Sequence, residues 1–352
     1  MWRYLELLPI AREENIVSIG EGWTPLVKTK MLGTKLGAKN LYVKNDYAMP
    51  TLSFKDRGAS CAVSKALELG LKTIALVSSG NQGSSFAAYS ARAGIKCVVF
   101  VPELIPSEKL AQIAIYGPKL AKVRATVDQA RILLEKACSE LGVTPLNTSF
   151  LRSYYKEGMK TLAFELCEQF DWNPPDWVLI PSGSGTSLLG VQKGFDEVKR
   201  LGLIEHCPKL VAVQTQAAQA IVERFSGTSL STPQFSKTVA TALFIREPVE
   251  LELVVKAIED SKGTAVAVKE DTILQAQKDL ARFEGIFAEP SGAIVIGAVA
   301  ELIDHGVVDA DEKIVCVISG AGLKDVKSAR IGVPEPPTLG PSIQELQEII
   351  IS

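Results

Sequence analysis

A lysine stands inside Thr51-Leu52-Ser53-Phe54-Lys55-Asp56-Arg57-Gly58, with an aromatic residue before it and an acid and an arginine after it. A lysine that attacks a carbonyl must spend time as the neutral amine. An apolar or cationic neighbourhood lowers its pKa toward that state. Taken alone, the run also suits the solvated first turn of an ordinary helix. What Lys55 does therefore depends on what other parts of the chain bring to it.

Three polar loops are candidates. Gly183-Ser184-Gly185-Thr186-Ser187 follows the apolar run 177–180 and opens a helical stretch. Glycines there let the backbone approach an anion, while N–H groups, hydroxyls and the helix dipole favour a phosphate. The loop lacks the Gly-Lys-Ser/Thr ending of a nucleotide-binding loop, and Leu188 breaks Gly-x-Gly-x-x-Gly. It suits a small phosphate monoester better than a triphosphate or a dinucleotide; a turn holding only water is the plain alternative. Ser78-Ser79-Gly80-Asn81-Gln82-Gly83 follows the run 73–77, and Ser319 follows the run 314–318. A reactive lysine, a phosphate cradle, an asparagine on a glycine loop and a serine at a strand end form the set that pyridoxal phosphate needs. Its aldehyde takes the lysine, its phosphate the cradle, its ring hydroxyl and ring nitrogen the other two.

Composition excludes several other chemistries. With 47% hydrophobic and 22% charged residues over 352 positions, the chain can bury a core of two domains or one large α/β unit. A net charge of -2 leaves no electrostatic footprint for nucleic acid or an anionic membrane. The six cysteines are scattered without a Cys-x-x-Cys pair, which points to buried thiols and not to zinc or disulfides. The two histidines, His206 and His305, stand where helices end, so a histidine-based triad or metal site is not expected. The first residues lack the apolar centre of a signal peptide, and no run is long enough to span a bilayer. A soluble cytoplasmic protein is expected.

The elements that must position these residues follow from periodicity. Helical spacing runs from Arg57 to Gly70, and 73–101 reads as strand, polar loop, small-residue helix and strand. Such a unit places its loop at the carboxyl end of a strand, where α/β sheets bind ligands. Further strands are expected at 41–44, 122–124, 177–180, 210–213, 264–268 and 314–318. Helices are expected at 107–116, 127–141, 157–170, 188–200, 270–284, after the turn 286–292 up to His305, and at 343–350. The stretch 144–155 reads as polar and irregular, and 226–250, rich in Ser, Thr and Pro, as long surface loops. The strand ends at Ser78, Ser182, Gln214 and Ser319 are expected to converge.

These motifs carry a resemblance that runs nearly end to end. Glu21-Gly22-Trp23-Thr24-Pro25-Leu26, Ser53-Phe54-Lys55-Asp56-Arg57-Gly58, Ser79-Gly80-Asn81, Glu157-Gly158, Glu289-Pro290 and Gly322-Leu323-Lys324-Asp325 make the chain similar to the fold-type II pyridoxal-phosphate enzymes, and among them to threonine synthases. The resemblance implies an α/β fold of two open, mostly parallel sheets flanked by helices, with the cofactor between two domains. Residues 1–52 and 147–332 would form the large domain, 53–146 a smaller mobile one, and 333–352 a Pro-rich linker with a C-terminal helix. Lys55 would bind the cofactor covalently and later shuttle protons. Asn81 would hydrogen-bond its ring hydroxyl, Gly183, Ser184, Gly185, Thr186 and Ser187 its phosphate, and Ser319 its ring nitrogen. Ser78, Ser79, Gln82, Ser149, Arg152 and Tyr155 would contact a small amino-acid substrate, expected to be phosphorylated. The implied reaction makes threonine and phosphate from O-phosphohomoserine and water, in a homodimer. Ala321 stands where these enzymes usually have histidine, and the Ser149–Tyr155 stretch departs from their usual phosphate-gripping pattern. Replacement or elimination on O-phosphoserine, serine or threonine therefore stays open, as does a regulatory homologue that binds the cofactor without turnover.

Overall fold

Short runs of Val, Ile and Leu between polar loops fold as buried strands, and the small-residue periodic stretches between them fold as helices that cover both faces. The computed structural model describes residues 1–78, 80–146, 150–228 and 237–351. Ser79 and Ser149, two of the expected substrate contacts, lie outside the described residues. In chain order come β1 (Leu26–Lys28), α1 (Met31–Lys35), β2 (Asn40–Lys44), α2 (Lys55–Glu68), β3 (Thr73–Val77), α3 (Asn81–Ala93), β4 (Lys96–Pro102), α4 (Ser107–Ile115), β5 (Lys119–Val123), α5 (Val127–Leu141), β6 (Thr144–Pro145), α6 (Leu151–Met159) and α7 (Thr161–Gln169). They continue with β7 (Trp177–Pro181), α8 (Thr186–Arg200), β8 (Lys209–Thr215), α9 (Ala220–Ser226), α10 (Leu251–Asp260), β9 (Thr264–Val268), α11 (Glu270–Glu284), α12 (Pro290–Asp304), β10 (Lys313–Val317), α13 (Val326–Ala329) and α14 (Ile343–Ile351).

Among the described residues the strands form two sheets. One has the order β1-β2-β10-β7-β8-β9 and is antiparallel only where β1 meets β2. The other has the order β5-β4-β3-β6 and is parallel throughout. Helix α2 lies against α6 and α3 and joins the cores of the two sheets, with Ala59, Ala62, Val63 and Ala66 fully buried.

Three expectations need correction. The stretch 144–155 is not irregular: Thr144 and Pro145 add a strand to the smaller sheet, and α6 starts at Leu151. The stretch 226–250 is not all surface loop. Ala240 and Leu243 are buried, and residues 242–249 wall a cleft described below. Gln214 does not join the convergent loops. Its amide donates to the Ser182 carbonyl and its carbonyl oxygen accepts from the N–H groups of Ile221 and Val222, so it starts α9. Helix α10 escaped the periodicity reading altogether, although its Val254, Val255, Ala257 and Ile258 face the core.

One buried ionic network fixes the start of α2. The Arg57 side chain is wholly buried, with its guanidinium 2.6 Å from Asp46 and from Glu165. Lys44 reaches Glu165 at 2.8 Å, and the N–H groups of Trp23 and Thr24 donate to the same carboxylate. Burial alone would disfavour the Arg57 cation, but Asp46 and Glu165 outweigh it and hold the charge. Burial likewise opposes the Glu165 carboxylate, which Arg57 and Lys44 keep well below the usual range. Removing one partner of such a set leaves the others uncompensated. We expect Arg57→Met to lower unfolding free energy by about 3–5 kcal/mol in urea titrations of the cofactor-free protein. A loss under about 1 kcal/mol would show that the network does not anchor the helix.

Candidate active site

Lys55 is the first residue of α2, and backbone pairing sets its place. Ser53 lies opposite Gly320 in an antiparallel bridge, the Phe54 N–H donates to the Ser319 carbonyl at 3.0 Å, and the Ala321 N–H donates to the Leu52 carbonyl at 3.1 Å. On the other flank Ala288 bridges Ala321, and the Glu289 N–H donates to the Gly320 carbonyl at 2.9 Å. The end of β10 is therefore clasped between the lead-in to Lys55 and the lead-in to α12. Asp56 closes the same turn by accepting from the Thr51 N–H at 2.8 Å and from the Thr51 hydroxyl at 2.5 Å.

The Lys55 ammonium lies 4.7 Å from the centre of the Phe54 ring and 5.9 Å from that of Tyr155, where its stem is sheltered and its tip opens on a cleft between the two sheets. Burial lowers its pKa from the ordinary 10.5, Glu289 opposes and Arg152 adds to the drop, and the result is about 8. Ser78, Asn81, Gln82, Arg152, Tyr155, Ser319 and the 183–187 loop line the same cleft.

Each contributes from a defined element. Asn81 is the first residue of α3; its Nδ2 donates to Glu289 Oε1 at 2.5 Å, while its Oδ1 has no hydrogen-bond partner among the described residues. The Ser78 hydroxyl accepts from the N–H groups of Gly80 and Gly83 at 3.1 and 2.8 Å. Both lone pairs are then used, and its proton is left to donate. Gly185 precedes α8 at φ +73°, and a Cβ there would run into Val254, so only glycine fits this turn. Ser184 and Thr186 share a hydrogen bond at 3.1 Å across the loop. Arg152 Nη2 donates to Thr186 at 2.8 Å and its Nε to Glu250 at 2.8 Å, which ties it to the loop from α6. Tyr155 is buried, its phenol pKa is raised by that burial, and its hydroxyl stands near Ser187 without completing a hydrogen bond.

Sequence reasoning overlooked Glu289, which lines the cleft, and Lys109, whose ammonium pairs with it at 3.1 Å. Glu289 had a signal, the proline after it, which marks a helix start. Lys109 had none. Among the described residues no group of three or more His, Cys, Asp or Glu side chains is placed to hold a metal ion. No helix among them is long and apolar enough to cross a membrane.

The arrangement fits a small aldehyde that carries a phosphate. An amine half-discharged near pH 8 stands in the same cleft as a glycine-shaped helix N-terminus and two buried polar atoms without partners. A family model for pyridoxal-phosphate dependent enzymes matches residues 17–320. The chain belongs to the pyridoxal-phosphate-dependent enzymes. It is 41% identical to a threonine synthase of Methanocaldococcus jannaschii, over 99% of this chain and 87% of that protein. It is 40% identical to a threonine synthase of Methanosarcina acetivorans, over 99% and 86%. Among solved structures, the diaminopropionate ammonia lyase of Escherichia coli superposes with a TM-score of 0.76 at 19% identity, covering 92% of each chain, which shows a shared fold. The chain is thus a pyridoxal-phosphate-dependent lyase of the threonine synthase-like group.

Labelling of Lys55 in the cofactor-free protein by an amine reagent, read by peptide mass, should rise through about pH 8, whereas an ordinary lysine responds near 10.5. Between those values the unfolded chain keeps a proton that folded Lys55 has released, so this group's contribution to stability rises with pH across that window. Gly185→Ala should weaken cofactor binding by roughly tenfold or more, since the loop must shift to admit the methyl group; unchanged affinity in a titration of visible absorbance would mean that the loop does not cradle the phosphate.

Proposed function

We propose that this chain converts O-phosphohomoserine and water to threonine and phosphate. One observation carries the reading: Lys55, the 183–187 loop, Asn81 and Ser319 share a single cleft with Arg152, in a chain similar to threonine synthases over nearly its whole length. The residues then divide by position. Lys55 would take the carbonyl carbon of the cofactor and, once displaced by substrate, carry protons at its Nζ. Gly183, Ser184, Gly185, Thr186 and Ser187 would hold the phosphate of the cofactor, and Tyr155 joins them because its hydroxyl faces Ser187. Asn81 would meet the ring oxygen and the neutral hydroxyl of Ser319 the ring nitrogen. Pyridoxal phosphate, when bound, supplies the electron sink that lets protons leave the substrate carbons and phosphate depart.

The proton left on the Ser78 hydroxyl suits the substrate carboxylate, and Gln82 lines the cleft beside it. Ser79 and Ser149 belong to the same proposal. Arg152 would grip the substrate phosphate, since a guanidinium matches an oxyanion in fork geometry. Residues 53–146 would close as the smaller unit against 1–52 and 147–332, excluding water and aligning the groups that react. The stretch 333–352 would stand apart as linker and helix. Homodimer formation and a cytoplasmic location complete the proposal, and sedimentation of the holoenzyme tests the former.

Purified holoenzyme given O-phosphohomoserine should release phosphate and threonine in equal amounts. Release of phosphate from O-phosphoserine instead, or of a 2-oxo acid and ammonia from serine or threonine, would transfer the chain to another reaction. Arg152→Met should raise KM for O-phosphohomoserine by roughly 10–100-fold while the visible absorption of the bound cofactor persists. Lys55→Ala should abolish that absorption and reduce turnover by on the order of a thousandfold or more.

A further inference from the structure

Two buried side chains that the roles above leave unused, Glu289 and Lys109, form a bridge behind Asn81 at the cleft. Glu289 comes from the lead-in to α12, which packs on the six-stranded sheet, and only 1% of its surface is exposed. Lys109 comes from α4, between β4 and β5 of the four-stranded sheet, and is equally buried. Their charges lie 3.1 Å apart. Glu289 also accepts from Asn81 at 2.5 Å. Lys109 reaches this position only because residue 80 is glycine: a Cβ at Gly80, where φ is +152°, would lie 2.5 Å from Lys109 Cδ. A second link runs parallel, with Gln112 of α4 donating to the Thr51 carbonyl at 3.0 Å.

Charge at this point matters to Lys55. Glu289 faces it across the clasped end of β10. The other charged or titratable groups gathered there are Asp56 of α2, Arg152 and Tyr155 of α6, and Lys324 after β10. A buried carboxylate without its cation would act on Lys55 with little screening, and a buried lysine without its carboxylate would act in the opposite sense.

We propose that Lys109 and Glu289 are positioning residues for the pyridoxal-phosphate site. Lys109, brought by the four-stranded sheet, neutralises Glu289 and lets it hold Asn81 beside Lys55. The charge felt at Lys55 is then set only when both sheets have contributed to the cleft. The inference rests on Lys55 being the lysine that binds the cofactor.

The test uses the holoenzyme and the pH midpoint of its visible absorption. Lys109→Met should raise that midpoint by roughly half a pH unit or more, because Glu289 is left negative. Glu289→Gln should lower it by a similar amount, because Lys109 is left positive. The double variant K109M/E289Q has no unpaired buried charge and should titrate near the unmodified protein. A purely structural role would not move the two single variants in opposite directions. Equal midpoints in all three, or shifts of one sign, would overturn the electrostatic part. The positioning part is read separately, in two variants free of unpaired charge. K109M/E289A, which gives Asn81 no acceptor, should bind the cofactor at least about tenfold more weakly than K109M/E289Q; equal dissociation constants would overturn it. If the unmodified protein shows no visible band with the cofactor, the assignment of Lys55 fails instead.

Discussion

Arg57 sits two residues beyond Lys55 with no exposed surface, and a guanidinium placed there constrains everything around it. Its desolvation is tolerable only if every face meets an acceptor. Asp46 answers from the loop after β2, Glu165 from α7, and Thr24 and Thr161 take further N–H groups. Three separate stretches of chain thus converge on the first turn of α2. A lysine would not serve in its place, since a point charge with three rotatable donors cannot face two carboxylates in a flat fork. Turning or sliding α2 would uncover charge, so the direction in which Lys55 leaves the helix is set by a network that never enters the cleft.

The clasp at the end of β10 adds the second constraint. Leu52 adopts φ +61°, an uncommon value for a branched side chain, and the reversal lets 52–54 run antiparallel to 319–321. Lys55 and Ser319, far apart in sequence, are held together by main-chain hydrogen bonds, which survive substitution of either side chain. Burial then discharges the Lys55 amine and Glu289 limits the effect, leaving it near 8. An amine in that range is neutral often enough to attack and still basic enough to carry a proton. Lys324, whose pKa burial also lowers to about 8, is kept from competing because its ammonium is turned away to the Thr51 carbonyl.

Much of this was legible in the sequence where local pattern and final environment agree. The unit at 73–101 alternates apolar strands with small-residue helix, and it folded close to where periodicity placed it, although Pro102, expected to stop the last strand, is itself paired at its end. Lys55 does begin a helix, as its run of charges suggested, yet Asp56 and Arg57 in that turn are buried and not solvated. Local sequence cannot separate these cases, because the acceptors for Arg57 arrive from distant positions. Elsewhere the pattern misleads. The Ser, Thr and Pro content of 226–250 suggests a surface loop, yet Ala242, Leu243, Ile245 and Val249 within it wall the cleft, so average composition hides a partly buried segment. Strand β6 is two residues long and too short for any period to register. Lys109 looks like an ordinary solvated helix cation, and its contacts with Gly80 and Glu289 show otherwise.

Several buried polar side-chain atoms have no hydrogen-bond partner among the described residues. Leaving one unsatisfied costs roughly 1–3 kcal/mol. Asn45 and Ser90 each carry such an atom away from the cleft, so an orphan alone identifies nothing. Asn81 and Tyr155 differ because their orphans share one cavity with an amine of lowered pKa and with a loop shaped by glycine. Arg57 and the β10 clasp hold these walls in place, so the groups cannot relax toward one another to satisfy themselves. A ligand that donates to Asn81 Oδ1 and accepts from the Tyr155 hydroxyl would complete both, and it would gain most if it also brought a carbonyl to Lys55. The fold thus stores part of the affinity for its cofactor as hydrogen bonds it does not make alone.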